Sequence, residues 1–357
     1  MVPLAEVLRQ HWPQYERQFG SALLPSHRRA VQAILSCRTP ALGGQVFRCA
    51  DCHKDRFVYH SCNHRACPQC GQAAAAQWVE HQKLKLLPVP YYLITFTVPE
   101  GLRPWLRSHQ KQGYALLLRE SAAALQDVAS RPKYLGAELG ILSVLHTWGR
   151  QLQFHPHVHC VVPAGGLQPD GLRWCRPPAP DFFLPQKVLA ARFRNRLRAA
   201  LAQAADSDNI PLRVWRQDWV VDVQPAGSGQ SAIKYLAAYV YHTALGSQRI
   251  LSTDNDQITF KYKDTADQQW RLLRLCPTEF LRRFLQHVLP KGFLRIRYFG
   301  WLAPAAKTRW QRILALLDWK QPLAQPPPAR TLPTCLGCHQ PMALIGHLAR
   351  PPPRFRR

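Results

Sequence analysis

Residues 154–166 read FHPHVHCVVPAGG. A valine-rich apolar run closed by proline and glycines is a strand signature. Side chains of a strand alternate between its two faces. His155, His157 and His159 therefore share one face, and Val158, Cys160 and Val162 point toward the apolar side. Three imidazoles on one face of a buried strand repel when charged and are costly when unpaired. A divalent cation relieves both problems, which makes the three histidines candidate metal ligands. Imidazoles suit zinc, whereas a site with open positions for phosphate oxygens suits magnesium or manganese.

Working outward, YYLITFTVP (91–99), GILSVLHTWG (140–149) and LRVWRQDWVVDVQP (212–225) read as further strands. RILSTDNDQITFKYKD (249–264) reads as a hairpin, and PDG (169–171) as a turn. Helical patterns fall at 104–129, 186–205 and 231–245. Strands interleaved with helices and a hairpin predict an α+β sheet domain over 89–270.

The helix at 231–245, SAIKYLAAYVYHTAL, carries Ile233, Leu236, Ala237, Val240 and Ala244 on one narrow stripe. Counting about 100° per residue from Ile233, Tyr235 falls near 200°, Tyr239 near 240° and His242 near 180°. All three lie opposite the stripe, while Tyr241, at about 80°, flanks it. Tyr235 and Tyr239 read either as an aromatic platform for bases or as paired nucleophiles for phosphorus. A free phenol has a pKa of about 10, so the second role needs a metal or a positive field.

Upstream lies a cysteine cluster. The chain has 11 cysteines, six of them between Cys37 and Cys70. Cys49-Ala-Asp-Cys52 and Cys67-Pro-Gln-Cys70 are two knuckles, predicted to hold one structural zinc between them. Cys37, Cys62, His53, His60 and His64 stay open among a second site, alternative ligands and DNA-facing side chains, with a non-ligand role favoured for each. Cys335-Leu-Gly-Cys338-His339, with His347 beyond, is half a site lacking a second knuckle. Helical patterns over 1–36 and 72–87 complete a domain spanning 1–88.

Charge names the partner class. The 357 residues carry 47 Lys and Arg against 21 Asp and Glu, a net charge of +26, with 46% hydrophobic residues. That composition excludes bulk disorder and points to a polyanion, nucleic acid before an anionic membrane. From Arg271 onward there are 16 Lys and Arg but two acids, Glu279 and Asp318. This basic helical extension (271–321) offers Arg282, Arg283, Lys291, Arg295 and Arg297 to DNA. Its aromatics Phe284, Phe293, Trp301 and Trp310 divide between stacking on bases and packing. A proline-rich linker and basic tail (322–357) follow. MVPLAEVLRQHW lacks a signal pattern, and LLPVPYYLI (86–94) is too short to span a bilayer, so a cytoplasmic protein is expected.

Together these motifs resemble one family. HPHVHCVVPAGG is similar to the histidine-hydrophobic-histidine (HUH) motif of rolling-circle nucleases and transposases. KYLAAYVYHTALGSQRI resembles their Tyr-x-x-x-Tyr motif. CRTPALGGQVFRCADC with SCNHRACPQC resembles the zinc-binding domain preceding them, and FLRRFLQHVLPKGFLRIRYFGWLAPAAK the stretch that follows. The set resembles transposases of the insertion-sequence-91 family. Two positions depart from its pattern: Asn63-His64-Arg65-Ala66 before Cys67, and His242 after Tyr241. The resemblance implies a central antiparallel sheet with the histidine strand inside it and the tyrosine helix beside it. It implies His157 and His159 as ligands of a catalytic magnesium or manganese, and Tyr235 and Tyr239 as nucleophiles. The third ligand is not fixed by the motif; strand phase favours His155, then His242. It also implies single-stranded element ends as substrate and a bacterial, nucleoid-associated location. A non-catalytic zinc-finger regulator would leave the histidines and tyrosines without purpose. A carboxylate transposase would rest on Asp218, Asp222 and a distant Glu.

Overall fold

The structure is a computed structural model. It describes residues 2–179, 182–241, 244–254, 256–264, 267–323 and 332–351, without the side chains of residues 72, 73, 238, 239, 241 and 247. The chain divides into two compact units: Met1–Ala74 with Tyr241–Val288 and Ala324–Arg357, and Ala75–Val240 with Leu289–Leu323. This division differs from the linear one drawn from sequence, because each unit is assembled from distant segments.

The second unit is built on a five-stranded antiparallel sheet. Its order is Ile296–Gly300, Gly140–Trp148, Phe154–Pro163, Tyr91–Thr97, Val221–Pro225, so the histidine strand is central. The strand Gly140–Trp148 is buried throughout, its polar Ser143, His146 and Thr147 included. Helices Gln110–Ala129 and Gln186–Leu201 cover one face. Their Leu117, Leu125, Phe193 and Leu197 form one core with Val158, Cys160 and Val162 of the histidine strand. Phe96 meets Phe193 edge to face at 5.0 Å. The odd-numbered histidines are thereby turned to the opposite face, the alternation read from sequence.

Two corrections concern this unit. The run 212–225 is not one strand: Arg213–Arg216 is a helical turn, locked by the Trp219 indole N–H donating to the Val214 carbonyl at 2.9 Å, and pairing starts at Val221. Ile296–Gly300, inside the expected helical extension, is an edge strand paired with Gly140–Val144. Gly300 ends it at φ 62°, where a Cβ would lie 1.7 Å from the Leu139 carbonyl oxygen.

The first unit contains helices Leu4–Phe19 and Pro25–Ser36, which bury Leu4, Val7, Leu8 and Trp12 as their spacing predicts. Asp55–Tyr59, Gly44–Cys49 and Met342–Leu348 form one antiparallel sheet, with Gly44–Cys49 in the middle. The expected hairpin forms from Ile250–Ser252 and Ile258–Lys263 and gains a third strand, Trp270–Leu275. Helix Pro277–Leu285 buries Phe280 and Phe284. Among the described residues no helix is long and apolar enough to cross a membrane.

Candidate functional site

On the sheet face opposite the covering helices, three imidazoles converge. His157 and His159 come from the central strand and His146 from its neighbour, whose register sets His146 opposite His157 and Val144 opposite His159. One ring nitrogen from each lies within 4.8 Å of the others. The ring of His146 is 4.3 Å from that of His159 and 5.0 Å from that of His157. His155 does not join them. Its contribution is its backbone carbonyl, which accepts from the Nδ1–H of His157 at 2.7 Å. His146 therefore replaces His155 as the third member, and His242 lies outside the described residues. The reason is cross-strand register: His155 stands one pleat beyond the cluster on its own strand, while the neighbouring strand brings a ring alongside.

Two contacts orient the cluster. The His157 contact leaves Nε2 of that ring for the centre, and the Nδ1 of His159 lies 3.0 Å from the Thr95 hydroxyl, which does the same for His159. Burial holds the rings neutral, the form that binds metal. It lowers His157 to about 4 and His146 and His159 well below the usual imidazole value, with neighbouring imidazoles adding to the effect. Arg295 adds its charge to those acting on His146. Three neutral imidazoles, two of them oriented by these contacts, fit a divalent ion that keeps open positions.

The helix Gln230–Tyr241 carries the tyrosines. Ile233, Leu236, Ala237 and Val240 are buried along its stripe, and Tyr235 is 42% exposed on the other side. The Tyr235 ring stands perpendicular to that of His159 at 5.7 Å between centroids. One of the two expected nucleophiles thus borders the imidazole cluster. Tyr239 belongs to this helix, but its side chain lies outside the described residues.

The cysteines form two quartets rather than the single site expected from Cys49, Cys52, Cys67 and Cys70. Cys67 and Cys70 meet Cys37 and Cys62, whereas Cys49 and Cys52 meet Cys335 and Cys338. Cys37 closes the end of helix Pro25–Ser36, and its sulfur lies 3.5 Å from that of Cys70, which is 3.5 Å from Cys62. A Zn–S bond of about 2.3 Å gives a tetrahedron edge of about 3.8 Å, so four thiolates at this spacing suit zinc. Cys62 is pulled down to about 5 by its contact with Cys67, which favours a thiolate there.

The basic side chains are placed unevenly. Arg282 and Arg283 both pair with Glu279 at 2.6 Å. Arg295 is buried, donates to the Val240 carbonyl at 3.3 Å and stacks on Trp148, so it is an internal residue and not an open phosphate contact. Arg297 is half-buried over Phe293, and Lys291 is exposed. Phe284, Phe293 and Trp301 are core residues, and Trp310 stacks on Trp301 at 5.9 Å.

Comparison with known proteins identifies the family. Residues 140–309 match the family described as "Putative transposase", and residues 7–98 match the transposase zinc-binding domain. The chain is 37% identical over 324 residues to "Putative transposase y4qJ" of Sinorhizobium fredii, covering 84% of this chain and 80% of that protein. It is 30% identical over 290 residues to "Transposase for insertion sequence element IS801" of Pseudomonas savastanoi pv. phaseolicola, covering 76% and 69%. The chain belongs to the insertion-sequence-91 family of transposases. No solved structure matches it. As a transposase it is a DNA-processing enzyme, which displaces the reading as a regulator and accounts for the net charge of +26. The family's zinc-binding domain covers the first quartet whole and half of the second.

Proposed function

We propose that this transposase nicks and joins single-stranded DNA at element ends through a phosphotyrosine intermediate. The observation that carries this reading is the Tyr235 ring set against His159 of a three-imidazole cluster. His146, His157 and His159 would hold magnesium or manganese. Bound there, the ion would supply positive charge to the scissile phosphate. The Tyr235 or Tyr239 oxygen attacks phosphorus in line. A Tyr O–P bond forms and the phenol gives up its proton as the P–O3′ bond breaks, leaving a 5′-phosphotyrosine and a 3′-oxygen that takes up a proton to become the free 3′-hydroxyl. In joining, a 3′-hydroxyl attacks the phosphotyrosine and the phenol leaves. Two tyrosines one helical turn apart let a second cut proceed while the first end stays attached. Lys291, exposed, together with Arg282, Arg283 and the half-buried Arg297, would neutralise backbone phosphates.

The carboxylate alternative lacks support from geometry. Among the described residues, no cluster of three metal-binding side chains contains an acid. The test is incubation with labelled single-stranded element ends and Mg²⁺ or Mn²⁺, followed by a denaturing gel. A metal-dependent adduct that tryptic mapping places on Tyr235 or Tyr239 is expected. Cleavage without adduct, persisting in the double Tyr→Phe variant, would overturn the proposal.

A further inference from the structure

The second quartet joins two distant segments of the chain. Cys49 and Cys338 stand 289 positions apart in sequence, yet their sulfurs lie 3.4 Å apart. Cys52 and Cys335 complete a group whose four sulfurs all lie within 4.8 Å of one another. The family's zinc-binding domain ends at residue 98, so this match does not include Cys335 and Cys338.

The two knuckles are the same structure built twice. Each reads Cys-x-x-Cys-His: Cys49-Ala-Asp-Cys52-His53 and Cys335-Leu-Gly-Cys338-His339. In the first, the Cys49 amide donates to the Lys54 carbonyl at 3.1 Å and the His53 amide to the Cys49 carbonyl at 3.0 Å. In the second, the Cys335 amide donates to the Gln340 carbonyl at 2.8 Å and the His339 amide to the Cys335 carbonyl at 3.0 Å. Both histidines adopt left-handed backbone, φ 52° and 60°, a region that costs an L-residue free energy. In each loop an amide also points at the first sulfur. Cys52 donates to the Cys49 Sγ, and Gly337 to the Cys335 Sγ, both at 3.4 Å. Amides aimed at sulfur stabilise thiolate and not thiol.

The surroundings hold too little apolar surface to explain this convergence. The local core consists of Phe47, Cys49, Cys335 and Met342, with Cys52 and Cys338 packed against it. A core so small does not by itself hold a remote segment in place, and metal is the usual substitute. Met342–Leu348 pairs along the whole of Gly44–Cys49, with Cys49 opposite Met342, so the strand register delivers the second knuckle to the first. Arg56 adds a hydrogen bond to the Thr334 carbonyl at 2.6 Å.

We infer that Cys49, Cys52, Cys335 and Cys338 bind a second structural zinc ion, which fastens the C-terminal strand into the N-terminal unit. Binding releases the thiol protons to solvent and forms four Zn–S bonds, with no change in oxidation state. The half-site at residues 335–338 is completed by Cys49-x-x-Cys52, so the N-terminal knuckle is left without its partners until residues 335–338 have been made.

The test uses the full-length chain. Elemental analysis should give two zinc ions per chain, falling to one in the Cys335→Ser/Cys338→Ser variant. Because that variant could misfold, the wild-type protein supplies a second measurement. Alkylation followed by peptide mass spectrometry should modify the exposed Cys276 rapidly in the zinc-loaded protein. Cys49, Cys52, Cys335 and Cys338 should react slowly there and become reactive together on chelation. One zinc per chain in the wild type, alkylation of Cys335 and Cys338 at the rate of Cys276, or a disulfide-linked pair of these peptides would each overturn the inference.

Discussion

Thr95→Val is the most discriminating change at the imidazole cluster. Valine keeps the shape and β-branching of threonine, so the strand Tyr91–Thr97 should hold its register, and the change removes the hydroxyl 3.0 Å from Nδ1 of His159. That hydroxyl fixes the ring so that Nε2 faces the cluster. Loss of such an orienting partner typically lowers metal affinity by about 10- to 100-fold, or about 1.4–2.7 kcal/mol. The assay is adduct formation on labelled single-stranded DNA across a Mn²⁺ titration. The half-maximal concentration should rise by about 10- to 100-fold, with the plateau recovered at high Mn²⁺. Two companions bracket the result. His155→Ala keeps the backbone carbonyl that receives His157, so its midpoint should stay near wild type. His146→Ala removes one of the three proposed ligands and should form no adduct at any Mn²⁺ concentration tested. An unchanged midpoint in Thr95→Val, or His155→Ala as damaging as His146→Ala, would refute the assignment.

Tyr235→Phe and Tyr239→Phe should each remove one kind of covalent adduct and the double variant all of it, while Tyr241→Phe keeps both; adduct peptides identified by mass spectrometry decide. Affinity for single-stranded DNA should fall steeply with salt, with a log–log slope of roughly −4 if about six phosphates are neutralised, and a flat plot would contradict an electrostatic footprint. Contact with Arg282 and then Arg283 lowers Glu279 to about 2. A lowered carboxylate stabilises the fold above its unfolded pKa of about 4.3, and this contribution is lost as pH falls toward 2. Glu279→Gln should therefore cost about 1 kcal/mol at neutral pH after allowance for solvent screening, and nearly nothing at pH 2, by denaturant titration.

What the sequence discloses follows from whether a signal is periodic. The alternation of His155, His157 and His159 announces a strand with one polar face, and the stripe from Ile233 to Val240 announces which side of the helix turns outward. His146 gives no such signal. It is a single imidazole in a strand buried at every position, and only cross-strand register makes it a partner. A Cys-x-x-Cys pair says that two thiols can share an ion, not which other two complete it. The 14 residues between Cys52 and Cys67 favour joining the nearer knuckles, yet the repeated Cys-x-x-Cys-His at 49–53 and 335–339 was the available clue. The strands Trp270–Leu275 and Ile296–Gly300 were hidden for another reason. Their arginines and aromatics imitate a basic amphipathic helix, and tertiary pairing overrides that local pattern.

The composition of the histidine face also bears on the chemistry it could support. Thr95 stands opposite His159 on one side and opposite Asp222 on the other, so Asp222 lies on this face, half-buried and bound by the Gln224 amide at 2.8 Å. Asp218 is exposed before the strand begins. A site built on carboxylates neutralises much of the charge of its metal. An ion held by His146, His157 and His159 would keep that charge undiminished, with the guanidinium of Arg295 acting on the His146 ring. On the proposed mechanism a bound phosphate would supply the negative charge that these ligands do not. In a chain of net charge +26 the same logic operates over the whole molecule. On the proposed mechanism the phosphodiester itself would complete the electrostatics, beside the Tyr235 ring that stands against His159.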